Sequence, residues 1–175
     1  MSVEFDQAEA RSTPSALALS KLGAAYNRRQ HAHPSSRFPE TAMSATPLTA
    51  PQLVAAARGQ IEEISPVEVE RRMAARAVLL DVREPAEFAA AHLAGAANIP
   101  RGLLEFRVET HPAMTGGASP ELALHDRPIV VYCRGGGRAA LAAQSLQAMG
   151  FKAVASLTGG IQGWQDSGRP TVAGS

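Results

Sequence analysis

The single cysteine of this 175-residue chain, Cys133, stands where its thiol could be reactive. It follows the apolar run Pro128–Tyr132 and precedes a basic, glycine-rich segment. That segment is Arg134, Gly135, Gly136, Gly137 and Arg138. Consecutive glycines let backbone amides turn inward around an anion, and the dipole of a following helix adds positive potential at the same point. Because such a setting favours the thiolate, we expect Cys133 to be a nucleophile.

Each of these residues also has a structural explanation. A lone cysteine is commonly an inert buried side chain, a glycine run can be a tight turn without a ligand, and arginines can decorate a solvated helix start. One cysteine excludes an internal disulfide and a cysteine-based metal cluster. The five histidines show no ligand spacing on one helix apart from His31 and His33, so no metal is predicted.

The elements that must position Cys133 alternate between strands and helices. Continuous apolar runs predict buried parallel strands at Ala77–Asp81, Pro128–Tyr132 and Lys152–Leu157. Spacing and capping residues predict helices over Thr49–Ile61, from Ser65 to about Arg76, from Glu84, over Arg138–Met149 and over Ile161–Ser167. The pattern indicates an α/β fold with a mainly parallel central sheet flanked by helices. Sites in such sheets lie at the carboxyl ends of strands, which is where Cys133 falls.

The chain divides into an extension and one domain. Residues 1–47 mix Ser, Thr, Ala and Pro without an apolar period, so we expect a disordered extension. A flanking helix is expected within 48–63, the domain over 64–172 and a short tail at 173–175. The longest irregular connection, 111–127, is a candidate lid or partner-facing loop.

Charge and hydropathy narrow the class of protein. Lys and Arg number 17 against 16 Asp and Glu, which predicts neither a nucleic-acid binder nor a membrane-surface binder. No apolar run reaches the roughly 18 residues of a membrane span, and the order of residues at the start does not match a secretory signal. We therefore expect a soluble cytoplasmic protein.

Four blocks of sequence together resemble the rhodanese homology domain family. They are Leu80–Phe88, His92–Pro100, Val130–Cys133 with its glycine loop, and Leu157–Trp164. Their order and spacing are specific, and the resemblance covers about residues 64–172. It implies a rhodanese-like three-layer fold and the activity of a single-domain, thiosulfate sulfurtransferase-like enzyme.

The resemblance also implies a mechanism in which Cys133 carries sulfur as a persulfide, with no cofactor. The amides from Arg134 to Arg138 would hold the outer sulfur, and either arginine could bind an anionic donor such as thiosulfate. Since the chain has no second cysteine, the acceptor would be external: cyanide, a thiol or a sulfur-acceptor protein. A sulfur-relay or regulatory module acting with a partner protein is the alternative. Phosphatase or arsenate-reductase chemistry is less favoured, because those relatives have five residues between Cys and Arg and this loop has four.

Three further residues are expected to support the site. Asp81 would hydrogen-bond the active loop or cap a helix, Arg83 would pair with a carboxylate to hold two loops together, and His92 would orient a loop. Glu84 and Glu87 are predicted to lie in the first turn of a helix, where their charges favour the helix dipole. Of the remaining residues, Arg101 and Arg107 are expected to recruit donors or decorate a helix, Trp164 to pack, and Gly159 and Gly160 to form a turn.

Overall fold

The computed structural model describes residues 47–115 and 124–174, and the predicted disordered extension lies, up to Thr46, outside the described residues. The described residues form five strands: β1 Glu62–Ile64, β2 Val78–Asp81, β3 Ala97–Asn98, β4 Ile129–Tyr132 and β5 Val154–Leu157. They form seven α-helices: α1 Ala50–Arg58, α2 Pro66–Ala74, α3 Pro85–Ala90, α4 Leu104–Arg107, α5 Pro112–Thr115, α6 Gly137–Ala148 and α7 Gly160–Asp166. Short 3-10 turns lie at Arg101–Leu103, Val108–Thr110 and Leu124–Asp126.

All five strands join one parallel sheet in the order β1-β5-β4-β2-β3. Strand β4 is central, and its Val131 lies in register with Leu80 on β2 and Ser156 on β5. The predicted α/β fold with a parallel central sheet is confirmed. Because all strands point the same way, the residue after β4 stands at the middle of the carboxyl edge.

Helices cover both faces of the sheet, which gives three layers. All four residues of β4 are buried: Ile129 and Val131 pack towards α6, while Val130 and Tyr132 pack on the opposite face. Helix α6 meets the sheet with small side chains, and its buried residues are Ala139, Ala140, Ala142, Ala143 and Leu146. Such a flat apolar face lets the helix that follows the Cys133 loop lie close to the strands.

Local signals in the sequence account for several helix ends. Ser65 caps α2 by accepting a hydrogen bond from the amide of Glu68 at 3.3 Å, and Pro66 occupies the first helical position, where no amide donor is needed. Gly150 follows α6 with a φ of +95°, the left-handed conformation that glycine adopts at low cost.

Two predicted segments differ in the structure. The flanking helix ends at Arg58, and an edge strand, Glu62–Ile64, begins inside the 48–63 segment given to that helix and pairs with β5. Only Ile64 of this strand is buried, so its sequence carries almost no strand pattern. The connection 111–127 is partly helical, with α5 and a 3-10 turn, while residues 116–123 lie outside the described part. No helix among the described residues is long and apolar enough to cross a membrane.

Candidate active site

Cys133 lies directly after β4, beneath the loop that leads into α6. Its side chain is 2% exposed and packs on the α6 face of the sheet. The backbone amide of Gly136 donates a hydrogen bond to Sγ at 3.2 Å. Gly136 has a φ of +93°, so its conformation favours glycine over any other residue. The site therefore presents the sulfur with a backbone donor one residue before the start of α6.

The loop around Cys133 has an exposed first half and a buried second half. Arg134 and Gly135 are exposed, whereas Gly136 is buried and begins the turn into α6. Among the described residues, Gly136 supplies the amide hydrogen bond to Sγ. The sequence also predicted that the amides from Arg134 to Arg138 hold the outer sulfur of a persulfide. That sulfur would lie beyond Sγ, so this role stays a prediction.

The start of α7 holds the Cys133 loop from behind. The amides of Ile161 and Gln162 donate to the carbonyl oxygens of Cys133 and Arg134 at 2.8 and 3.1 Å. Gly160 makes this approach possible, since a Cβ there would lie 2.5 Å from the carbonyl oxygen of Arg134 and would clash with that of Cys133. The turn expected at Gly159 and Gly160 is therefore also a backbone anchor. With both carbonyls turned towards α7, the following amides are free to face the sulfur.

Arg138, at the start of α6, forms a two-point ion pair with Glu87 on α3. Its Nη1 and Nη2 atoms lie 2.7 and 2.9 Å from the two carboxylate oxygens. The pair lowers the pKa of Glu87 to about 2, chiefly through the hydrogen bond from Arg138. Glu87 and, to a smaller extent, the nearby Cys133 raise the pKa of Arg138. Glu87 thus pairs with the guanidinium at the start of the helix that follows the Cys133 loop, and it does more than favour a helix dipole.

Two other arginines belong to the surroundings of Cys133: Arg134 within the loop and Arg58 beside it. Arg134 is exposed and forms no ion pair with any described residue. Arg58, from the last turn of α1, was not singled out from the sequence; a Cβ at Gly136 would lie 3.0 Å from its Nη2. It also contacts Glu63, with Nε and Oε1 3.4 Å apart. The one sequence signal for Arg58 is a basic residue in the last turn of a helix.

Asp81 and Arg83 form a buried pair at the carboxyl end of β2. Arg83 Nη2 lies 2.6 Å from Asp81 Oδ2, and the amide of Arg83 donates to Oδ1 at 2.9 Å. Arg83 Nη2 also donates to the carbonyl oxygen of Ala91, so it ties β2 to the end of α3. Within the described residues, the Asp81 carboxylate accepts hydrogen bonds from Arg83 and bonds neither the Cys133 loop nor a helix start. Asn98, which the sequence did not suggest, donates to the carbonyl oxygens of Asp81 and Arg83 at 3.0 and 2.9 Å.

His92 and two residues expected at the periphery make structural contacts. His92 Nδ1 lies 3.0 Å from the carbonyl oxygen of Phe88, and the two rings stack with centroids 3.8 Å apart. These contacts hold the segment after α3. Arg101 pairs with Glu105 at 2.7 Å. Trp164 is a buried residue of α7, and its Nε1 donates to the carbonyl oxygen of Pro170 at 2.8 Å.

Comparison with known proteins identifies the family. The family model described as the rhodanese-like domain matches residues 65–167, more than half of the chain. This chain belongs to the rhodanese-like domain family. The matched residues include β2, the Cys133 loop and α7, whereas α1 and β1 lie before them. Arg58 and Glu63 therefore lie before the residues that the family model matches.

Relatives of this rhodanese-like chain include named sulfurtransferases. A sulfurtransferase from Allochromatium vinosum is 32% identical over 115 residues, covering 65% of this chain and 96% of the relative. The thiosulfate sulfurtransferase structure from Pseudomonas aeruginosa has a TM-score of 0.54 and 34% identity, covering 65% of this chain and 20% of that one. A Rhodopseudomonas palustris structure of unknown function, described as a possible tyrosine phosphatase, has a TM-score of 0.58 and 30% identity, covering 73% and 99%. Together with the family, these sulfurtransferases support sulfur transfer in general.

Proposed function

We propose that this protein moves a sulfane sulfur from thiosulfate or a persulfide donor to a thiophilic acceptor through a persulfide on Cys133. The observation that carries the proposal is the position of Sγ, at the carboxyl end of the central strand with the Gly136 amide donating to it. An amide donor and a helix start both stabilise negative charge on sulfur. The family and the named relatives support the same chemistry.

The first half of the reaction loads the cysteine. The Cys133 thiolate attacks the outer sulfur of thiosulfate, a bond forms between the two sulfurs, and the sulfur–sulfur bond of thiosulfate breaks. Its electron pair leaves with sulfite, and the enzyme retains a persulfide with one negative charge. Arg134, which is exposed and unpaired among the described residues, is suited to hold the sulfonate end of the donor.

The second half of the reaction unloads the cysteine. Cyanide attacks the outer sulfur of the persulfide, forms thiocyanate and returns the electron pair to Sγ as a thiolate; a thiol acceptor gives a new persulfide in the same way. This is ping-pong covalent catalysis and it needs no cofactor. The acceptor comes from outside, since Cys133 is the only cysteine of the chain.

A thiosulfate-to-cyanide assay with Cys133→Ala tests this function. We expect thiocyanate formation by the wild type and none by the variant, with far-UV circular dichroism and thermal unfolding close to those of the wild type. Wild-type turnover that survives in Cys133→Ala would refute the proposal. Feeble turnover with thiosulfate, alongside ready persulfidation by a protein donor, would instead favour a sulfur-relay module.

Phosphatase chemistry is the second candidate, because the Rhodopseudomonas palustris neighbour is described as a possible tyrosine phosphatase. Four residues separate Cys133 from Arg138, one fewer than in phosphatases of this lineage. In addition, each terminal nitrogen of Arg138 donates one hydrogen bond to Glu87, whose carboxylate charge would repel a phosphate group at the same guanidinium. We expect no hydrolysis of an aryl phosphate; hydrolysis that disappears in Cys133→Ala would establish this candidate instead.

A further inference from the structure

The charges at the carboxyl edge of the sheet are almost fully compensated. Three arginines at this edge each have a carboxylate partner within the described residues. The pairs are Arg58 with Glu63, Arg83 with Asp81, and Arg138 with Glu87. Arg134 forms no such pair there, and its side chain is exposed. Among these four arginines, one positive charge is left without a partner to receive an anion.

The pair of Arg138 and Glu87 adjoins the loop that holds the sulfur. Arg138 lies in the first turn of α6, two residues after Gly136, whose amide donates to Cys133 Sγ at 3.2 Å. Glu87 meets both terminal nitrogens of Arg138, and its Oε2 also accepts the amide hydrogen of Glu84 at 3.2 Å. The carboxylate is thus fixed by two elements. Glu84 itself exposes its carboxylate to solvent, where screening weakens its field.

From these contacts we infer that Glu87 is a specificity-determining residue that makes the site favour singly charged over doubly charged sulfur donors. Glu87 neutralises Arg138, so a donor meets the single unpaired charge of Arg134. A thiosulfonate or an organic persulfide, with one negative charge, matches that charge. Thiosulfate, with two, brings one charge that no unpaired arginine among these four compensates. The donor preference rests on the proposed sulfur transfer. The effect of the Glu87 charge on the field at the sulfur does not depend on it.

A thiosulfonate can load the cysteine with balanced atoms and charges. The Cys133 thiolate attacks the outer sulfur of methanethiosulfonate, the sulfur–sulfur bond breaks, and the electron pair leaves with methanesulfinate. The protein keeps the persulfide with one negative charge, as it does with thiosulfate. The two donors differ in a methyl group in place of an anionic oxygen, so they form a matched pair that differs chiefly in charge.

The electrostatic part is tested by alkylating Cys133 with iodoacetate and with iodoacetamide. The thiolate attacks the methylene carbon of both reagents and displaces iodide, so the ratio of the two rates cancels the thiolate fraction and reports the field at the sulfur. Glu87 is ionised at neutral pH, since its pKa is lowered to about 2. We expect Glu87→Gln, which keeps an acceptor for the Glu84 amide, to raise the iodoacetate-to-iodoacetamide ratio about two- to fivefold, the effect of one partly exposed charge.

Variants of Arg138 separate charge from structure. Arg138→Gln leaves Glu87 uncompensated and should lower the ratio by a similar factor, while the double variant Glu87→Gln with Arg138→Gln should return it close to the wild-type value. A purely structural pair would shift all three variants in one direction, which would overturn the inference. If Glu87→Gln does not fold, the fall in Arg138→Gln decides alone.

A matched control is an exposed two-point pair away from the Cys133 loop, Glu70 with Arg169, in which both distances are 2.9 Å. Glu70→Gln removes the same charge from α2 and should leave the ratio unchanged; an equal rise there would show that Glu87 has no special influence on the site.

With the two donors, Glu87→Gln should raise kcat/KM for thiosulfate relative to methanethiosulfonate. An unchanged donor preference would overturn the substrate part. If neither donor transfers sulfur to wild type, the proposed function fails and the alkylation ratios still decide the role of Glu87.

Discussion

Cys133 is held by backbone groups on two sides. The amide of Gly136 donates to its sulfur, and the amide of Ile161 donates to its carbonyl oxygen. Both donors are backbone amides, and both contacts require glycine: Gly136 for its positive φ and Gly160 for the close approach of α7. A side chain added at Gly136 or Gly160 should therefore disturb the position of Cys133.

Gly160→Ala should be severely destabilising. The added Cβ would clash with the carbonyl oxygens of Cys133 and Arg134, and the φ of +60° is unfavourable for alanine. We expect a loss of about 3 kcal/mol or more in the free energy of unfolding, together with loss of sulfur transfer. Urea denaturation measures the first effect.

Gly168→Ala is the matched control for that substitution. Gly168 has a φ of +76°, but nothing lies within 4 Å of its Cβ position, so only the backbone preference is lost. We expect about 1 kcal/mol from this change. Equal losses in both variants would contradict the anchoring role of Gly160.

At the level of single residues, the sequence indicated the reactive cysteine but not every side chain that contacts its surroundings. Cys133 and its glycine loop could be recognised because they are consecutive. The partner of Arg138 could not, since Glu87 lies 51 positions earlier and meets it only across the edge of the sheet. The same holds for Arg58, which approaches Gly136 only because α1 packs beside the loop.

At the level of elements, buried strands were predictable and the edge strand was not. Strands β2, β4 and β5 are short apolar runs, and their burial on both faces accounts for that composition. Strand β1 has two exposed glutamates and one buried isoleucine, and it forms because β5 offers a free edge. Its pairing is a tertiary effect that no local pattern contains.

The central sheet carries one buried hydroxyl without a partner. Ser156 on β5 is fully buried, and its Oγ makes no hydrogen bond with any described residue. Because an unsatisfied buried hydroxyl is costly, Ser156→Ala should leave the free energy of unfolding unchanged or raise it by about 1 kcal/mol. Thermal and urea unfolding provide the measurement.

The reverse substitution next to it gives the comparison. Ala155, also fully buried, faces the opposite side of the sheet, and Ala155→Ser should cost about 1–3 kcal/mol. A clear loss of stability in Ser156→Ala would instead reveal a hydrogen bond that the hydroxyl makes in solution.

At the scale of the whole molecule, one compact unit spans Pro47–Ser175. It includes both α1 and the residues that the family model matches. Val54 lies 3.6 Å from the Cβ position of Gly137, and Ala57 is fully buried. The family model matches residues 65–167, so α1 lies before the matched region and still contacts the loop. The helix brings Arg58 beside the site and covers the start of α6.

Ala57→Leu should therefore disturb both stability and the site. A larger side chain in this packed position is expected to cost about 1–3 kcal/mol and to displace α1 from the Cys133 loop. Ala56→Leu, on the exposed side of the same helix, should change the free energy of unfolding by less than about 0.5 kcal/mol. Equal effects in the two variants, measured by urea denaturation, would argue against docking of α1 on the domain.

The most direct test of the account is mass spectrometry of the protein after incubation with thiosulfate and removal of excess donor. We predict a gain of about 32 Da on the peptide that contains Cys133, removed by cyanide with release of thiocyanate. Gain of the same mass should be absent from Cys133→Ala. A wild-type protein that is active in sulfur transfer but never carries the extra sulfur on Cys133 would contradict the central claim.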